Sequence, residues 1–226
     1  MSSQIYERRL AAALASKGVS LDPIYRMCLS LLQSQKVKGN LLEFGAGIGN
    51  LLKQLAASNV YTKITGADIL PRPDDVPREI TWIQADLNEP VPVPDKAFDT
   101  IVSTEVIEHL ENPRATFREF HRLLRPGGTL LLTTPNQESI RSLVSLIFGR
   151  HFAAFQDASY PAHITALIRK DFERICAESG FKPPRFFYTN AGGIPKLPHI
   201  RWQQVSFGLL RGRLFSDNIA VVTTKA

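Results

Sequence analysis

Cysteine is nearly absent from this chain: two residues in 226, Cys28 and Cys176, both inside helix-period apolar patterns. That scarcity excludes a disulfide framework and points to small buried hydrophobes in a reducing compartment. Long uncharged apolar runs are missing too, and the opening MSSQIYERRL has no apolar h-region. On this reading a membrane-spanning helix and a secretory leader are excluded, and a soluble, cytoplasmic protein is expected. Charge of one sign is modest, with a formal net charge of +6 and acids and bases interleaved through most of the length. An anionic partner is permitted by that balance and not demanded. Basic residues do gather between Lys182 and Lys225, where acids are few, and a solvated basic edge is the simplest account.

At 226 residues and 44% hydrophobic content, the chain suits one α/β core with elaborations. Its centre is the stretch Asn40-Leu41-Leu42-Glu43-Phe44-Gly45-Ala46-Gly47-Ile48-Gly49. A short apolar run, an acid, glycines on alternate positions and then the periodicity of Leu51, Leu52 and Leu55 read as strand, tight turn and helix. Glycines there let a backbone turn sharply and approach a ligand, and the next helix offers unpaired N–H groups. Glu43 is placed to accept hydrogen bonds from the loop or from a bound cationic group. A dinucleotide fingerprint wants glycine at position 50, and this chain has Asn50.

Two helices, over 4–16 and 22–35, are predicted ahead of this turn, separated by Gly18 and started by Asp22-Pro23. Further strands are predicted at 63–69, 79–85, 98–103 and 129–134, with a helix capped near Asn112-Pro113 between the last two. Strands alternating with helices at these lengths give a doubly wound, mainly parallel sheet, whose ligands bind outside the carboxyl ends of the strands. Gly45, Asp68, Asp86 and Thr104 all fall at such ends. Asp68, 23 residues after Gly45, is placed to accept hydrogen bonds from both hydroxyls of a ribose.

The runs LLEFGAGIGN, ITGADIL, IQADL, FDTIVSTEVIEHLENP and LLRPGGTLLLTTPN resemble the class I S-adenosylmethionine-dependent methyltransferases, most closely those that modify small molecules and glycans. The resemblance covers Asn40 to Asn136. It implies a Rossmann-like seven-stranded sheet closed by an antiparallel hairpin, drawn from Phe181–Thr189 and Asn218–Thr224, at the edge. It also implies S-adenosylmethionine as cofactor, held by Glu43, Gly45, Ala46, Gly47, Gly49, Asp68, Ile69 and Thr104. Asp86 would take the exocyclic amine of the adenine and Leu87 would lie on the ring. A single domain over 1–226 is expected, with helices in 1–37, a cofactor core in 38–134, a cap or lid in 135–169, and a helix with closing strands in 170–226.

Thr104-Glu105-Val106-Ile107-Glu108-His109-Leu110 follows the strand at 98–103. One helical turn there would put Glu105, Glu108 and His109 on one face and send Val106, Ile107 and Leu110 into the core. Two carboxylates and an imidazole suit Mg2+ or another divalent cation, with His163 supplying the fourth ligand. E-x-x-E-H followed some fifty residues on by a histidine resembles the small-RNA 3′-terminal 2′-O-methyltransferases and the catechol-type methyltransferases of ubiquinone synthesis. The resemblance implies a metal that holds adjacent hydroxyls, with Glu108, His109 and His163 at the chemistry. Two other readings stand beside it: a Glu105–His109 ion pair with Glu108 in solvent, and a metal-free general base at His109 or His163.

Ile140, Leu143, Val144, Ile147 and Phe148 follow helix spacing. A buried cap helix is the expected outcome, with a lid or a helix touching a membrane that carries a lipid-linked acceptor as alternatives. The function expected is O-methylation of a sugar or diol-bearing small molecule. RNA 3′-end methylation and a non-catalytic cofactor-binding subunit are the alternatives. Nucleic acid is disfavoured as a partner by the lack of an appended RNA-binding module, and oligomeric state is left open.

Overall fold

The computed structural model describes residues 3–16 and 18–226. Helices α1 (Ser3–Ser16) and α2 (Asp22–Ser34) precede the sheet. Pro23 sits in the first turn of α2, where a missing N–H loses no bond, and Ile24, Cys28, Leu31 and Leu32 bury one stripe of the helix. There follow β1 (Gly39–Phe44), α3 (Asn50–Ala57), β2 (Tyr61–Asp68), β3 (Thr81–Gln84), β4 (Phe98–Thr104), α4 (Pro113–Leu123), β5 (Leu124–Pro135) and α5 (Ile140–Gly149). Then come α6 (Arg169–Glu178), β6 (Arg185–Tyr188), a ribbon of β7 (Gly193–Ile194) and β8 (Leu197–Arg201), the one-turn α7 (Trp202–Val205) and β9 (Asn218–Thr224).

The sheet is α/β, doubly wound and mainly parallel, as the alternation of elements predicts: its seven strands run β3-β2-β1-β4-β5-β9-β6, with only β9 antiparallel. Strand order reverses direction between β1 and β4, and a crevice opens at the carboxyl ends there. Side chains alternate across the sheet: Leu42 and Phe44 join one apolar cluster with Phe117, Phe120 and Phe172, while Leu41 joins another with Ile24, Cys28 and Leu52. Each such fully buried side chain contributes about 2–3 kcal/mol of transfer free energy. Cys28 and Cys176 are both buried thiols within these clusters.

Two elements depart from the sequence reading. Leu124–Gly128, expected as a stop before the strand, already belongs to β5: Phe98 pairs with Leu124 and Thr100 with Thr129, so the intervening residues bulge out, turning at Gly127 with φ +74. The buried Lys225 ammonium donates to the carbonyls of His121 at 2.6 Å and Leu124 at 2.9 Å, satisfying that irregular start. Helix α5 forms where its periodicity places it, yet it is not a buried cap. Only Ser142 is buried on it, and Leu146, Ile147 and Phe148 stand in solvent. No described helix is long and apolar enough to cross a membrane.

Candidate functional site

A cavity of about 980 Å³ lies at the carboxyl edge of the sheet. Its floor is the glycine turn. Gly45 and Gly47 adopt φ +84 and +51, a region open to glycine at little cost. A Cβ on Gly45 would meet the Val106 side chain at 2.2 Å, and one on Gly47 would meet the Gly18 carbonyl at 2.3 Å. The glycines are thus required first by the protein's own packing, rather than only by a ligand lying against them. Gly49, expected to touch the cofactor, instead caps α3 at φ +76 beside Val76 and does not line the cavity.

The remaining expected cofactor residues, Glu43, Gly45, Ala46, Gly47, Asp68, Ile69, Asp86, Leu87 and Thr104, all line it. Asp68 accepts from the backbone N–H of Gly47 at 2.7 Å and of Leu70 at 2.9 Å, which aims its carboxylate across the turn. Burial pushes the Asp68 carboxyl up and those amides pull it down. Burial also holds the Glu43 carboxyl well above its ordinary range, with Asp68 adding to the effect. Asp86 is already engaged, accepting from Arg9 of α1 at 2.7 Å and from the Asn88 backbone N–H at 3.0 Å. An adenine amine would share that carboxylate with Arg9.

The opposite wall carries the acidic and imidazole cluster. Ile107–His109 forms a single 3-10 turn, and Ile107 and Leu110 are buried in the core as expected. Glu105 precedes the turn at φ +54, a left-handed conformation that strains a residue with a side chain. Its N–H donates to the Thr133 carbonyl at 3.1 Å, and its Oε2 accepts from the Asn218 amide at 2.7 Å. The Glu105–His109 ion pair is therefore not formed, and Glu108 is buried rather than solvated. Glu108 Oε2 accepts from the Thr134 hydroxyl at 3.0 Å.

His163 reaches the cluster because the segment before α6 is stitched to the 3-10 turn. The N–H groups of Ile164 and Thr165 donate to the Glu108 carbonyl at 2.9 and 3.0 Å. His109 Nδ1 bonds the Ala162 carbonyl at 2.8 Å and His163 Nδ1 bonds the Ala154 carbonyl at 2.6 Å. A ring whose Nδ1–H is donated to a carbonyl keeps Nε2 as the atom left for a ligand, and in a neutral ring that atom carries the lone pair. Burial, with His163 nearby, lowers the His109 pKa to about 4, so its ring is neutral at pH 7. The ring centroids are 4.8 Å apart.

Ligand-capable atoms of Glu108, His109 and His163 all lie within 4.8 Å of one another. Glu105, expected as one of the four ligands, shares the cavity but stands outside that group, held by Asn218. Among the described residues, four buried side-chain oxygens lack a partner: Glu43 Oε2, Thr100 Oγ1, Glu105 Oε1 and Glu108 Oε1. Three of those four are carboxylate oxygens that line this one cavity. Buried carboxyls left without a partner either hold a proton, as burial favours here, or take a positive ligand. Two imidazole nitrogens and a carboxylate suit a divalent cation, and Glu43 beside Asp68 suits an ammonium and a diol.

Sequence reasoning missed Arg9, Gly18 and Asn218, which come from α1, the loop after it and the start of β9. The run Ala11-Ala12-Ala13-Leu14-Ala15 was the available signal, since small side chains along α1 let it lie over the cavity.

A family model described as a methyltransferase domain matches residues 17–183. A malonyl-[acyl-carrier protein] O-methyltransferase of Paenibacillus sp. is 28% identical over 185 residues, covering 77% of this chain and 63% of that one. A ubiquinone biosynthesis O-methyltransferase of Vibrio vulnificus is 26% identical over 117 residues, 48% of each chain. The chain thus spans between about half and two thirds of the length of these curated relatives. Among solved structures, the N-methyltransferase NodS of Bradyrhizobium japonicum, in complex with S-adenosyl-L-homocysteine, superposes with a TM-score of 0.55 at 18% identity, covering 88% of this chain and 84% of that one. At that identity the likeness speaks to the fold.

Proposed function

Because the chain belongs to the methyltransferase-domain family, we propose that it transfers a methyl group from S-adenosylmethionine to a hydroxyl oxygen of a sugar or another diol-bearing small molecule. The observation that carries this reading is the set of unpartnered carboxylate oxygens of Glu43, Glu105 and Glu108 in the cavity that also holds His109 and His163. Both curated relatives named above are O-methyltransferases, which supports oxygen as the acceptor.

S-adenosylmethionine, when bound, supplies an electrophilic methyl on a sulfonium. Glu43 faces the ammonium of its methionine part, Asp68 takes the ribose hydroxyls, and Leu87 and Ile69 give the base an apolar wall. Across the cavity, Glu108, His109 and His163 would hold a divalent cation, and such an ion would lower the pKa of a hydroxyl bound beside it. The acceptor oxygen forms its bond to the methyl carbon as the carbon–sulfur bond breaks, leaving neutral S-adenosylhomocysteine. The acceptor proton passes to a carboxylate or imidazole of the cluster and then to water. Glu105, fixed by Asn218 and Thr133, stands beside the site with its carboxyl pushed up to about 7 by burial, and a cation bound there would favour its ionised form.

Incubating the protein with isotopically labelled S-adenosylmethionine and extracts of glycans and small metabolites tests the reading. Labelled methyl ethers that disappear with Glu108→Gln are expected, and label found on nitrogen or carbon would overturn the assignment to oxygen.

A further inference from the structure

Two segments outside the site expose large apolar side chains. At the end of α5, Ile147 and Phe148 are 71% and 81% exposed. After α7, Phe207 and Leu209 are 96% and 83% exposed, and Phe207 is held at φ +51. A phenylalanine kept in a left-handed conformation and wholly in solvent is unfavourable twice over, and such side chains mark contact surfaces.

Both segments lie on one edge of the molecule. Helix α5 begins just past Pro135, the carboxyl end of β5. Strand β6 runs with β5, because each is antiparallel to β9, so the excursion from 189 to 217 leaves and returns at the same edge. The Ala153 N–H donates to Ser142 Oγ, folding the chain from the tip of α5 back toward Ala154, whose carbonyl holds His163. Tyr160 and Ile164, both exposed, line the mouth of the cavity on this edge.

The charge around these side chains has one sign. Residues 139–156 and 190–216 contain no aspartate or glutamate. Two of the three flanking acids are neutralised, Glu138 by Arg169 and Arg213, and Asp217 by Arg141, and the third, Asp157, is exposed at the far end of the first segment. Arg150, Lys196, Arg201 and Arg211 have no ion pair among the described residues. Two copies of this face brought together would set like charges against each other, which argues against self-association.

We propose that this edge seats on an anionic lipid bilayer. Phe148, Ile147, Phe207 and Leu209 enter the boundary between headgroups and acyl chains, and the four unpaired cations meet lipid phosphates. The cavity mouth then opens toward the membrane surface. The binding itself is independent of the methyl-transfer reading. Its corollary, that the acceptor is an amphiphile presented at the surface, rests on that reading.

Sedimentation of the whole protein with vesicles of phosphatidylcholine, alone or mixed with phosphatidylglycerol, tests the proposal. Binding is expected only with phosphatidylglycerol, weakening as salt rises. Phe148→Ser with Phe207→Ser is expected to weaken it by at least about tenfold, while S-adenosylhomocysteine binding stays unchanged. Trp202 reports on the unsubstituted surface: in a Trp82→Phe background its emission shifts to the blue when phosphatidylglycerol vesicles are added. No sedimentation at low salt would overturn the proposal, as would a double variant that binds vesicles as well as the parent. Dimerisation abolished by the double variant, without vesicle binding, would overturn it in favour of self-association. S-adenosylhomocysteine binding and turnover are read separately, so loss of activity with vesicle binding intact would sink the methyltransferase reading alone.

Discussion

Arg9 Nη1 lies 2.7 Å from Asp86 Oδ2, across 77 positions of sequence, with the two side chains 15% and 5% exposed. The same guanidinium meets Glu111 at 2.8 Å through Nη2. One arginine on α1 therefore pins the first helix to the tip of β3 and to the start of α4, roofing the cavity. Replacing it with glutamine keeps the length and removes the charge. Arg9→Gln is expected to cost about 2 kcal/mol of stability, the worth of a charged hydrogen bond, and to speed dissociation of S-adenosylhomocysteine. Urea unfolding and stopped-flow release check both, and an unchanged midpoint would show that the pair holds nothing.

Asp68 is aimed by the N–H groups of Gly47 and Leu70. Asp68→Asn leaves an amide in a place built for an acceptor. S-adenosylhomocysteine affinity should fall by about tenfold or more, in line with loss of about 1.5–3 kcal/mol at a charged hydrogen bond. Calorimetry reads the change directly, and unaltered affinity would remove the ribose role from this residue.

The cluster of Glu108, His109 and His163 should bind Co2+ or Mn2+ without any acceptor present. Loss of either imidazole, His109→Ala or His163→Ala, is expected to weaken the metal by about 100-fold or more, since even the outer partners of metal ligands are worth about 10–100-fold. The optical spectrum of the Co2+ protein reports this independently of turnover. Identical titrations for parent and variants would leave the histidines as metal-free bases.

Protonation of the same region sets a pH dependence in the metal-free protein. Burial pushes the Glu105 carboxyl up to about 7, against its ordinary 4.5, while Thr133 and Asn218 pull it down. The folded state holds that proton more tightly, so this group favours folding below about pH 4.5, and the contribution is lost as pH rises toward 7. Glu105→Gln should gain on the parent by up to about 3 kcal/mol between those limits. His109 acts in the opposite direction: with its pKa lowered to about 4 from 6.5, its contribution is present above pH 6.5 and lost as pH falls toward 4. His109→Gln should flatten that acid limb. Chelator-treated protein unfolded in urea at several pH values gives both slopes.

What the sequence made legible was local. The glycine turn, the acids at the ends of β2 and β3, the start of α2 at Asp22-Pro23 and the cap of α4 are each decided within a few residues, and all of them formed where expected. The partners that close the site come from far away: Asn218 reaches Glu105 across 113 positions, and Gly18 packs on Gly47 from the loop before α2. No local pattern encodes such meetings. Helix α5 shows the same limit from the other side. Its periodicity correctly specified a helix and an apolar face, but nothing in a period of 3.6 says what covers that face. Likewise the spacing of Glu105, Glu108 and His109 assumed a regular turn, and the positive φ at Glu105 took that carboxylate out of the set.

Strand β9 lies between β5 and β6 in the sheet although it follows both in the chain, and its first residue, Asn218, supplies the amide that fixes Glu105. During synthesis β6 has no strand to pair with until residues 218–224 have been made, and β5 presents an open edge for the same interval. Closing the sheet and setting the Glu105 carboxylate are therefore a single late event in the life of a nascent chain. A ribosome-bound intermediate would carry the glycine turn and both histidines yet lack Asn218, the clamp on Glu105.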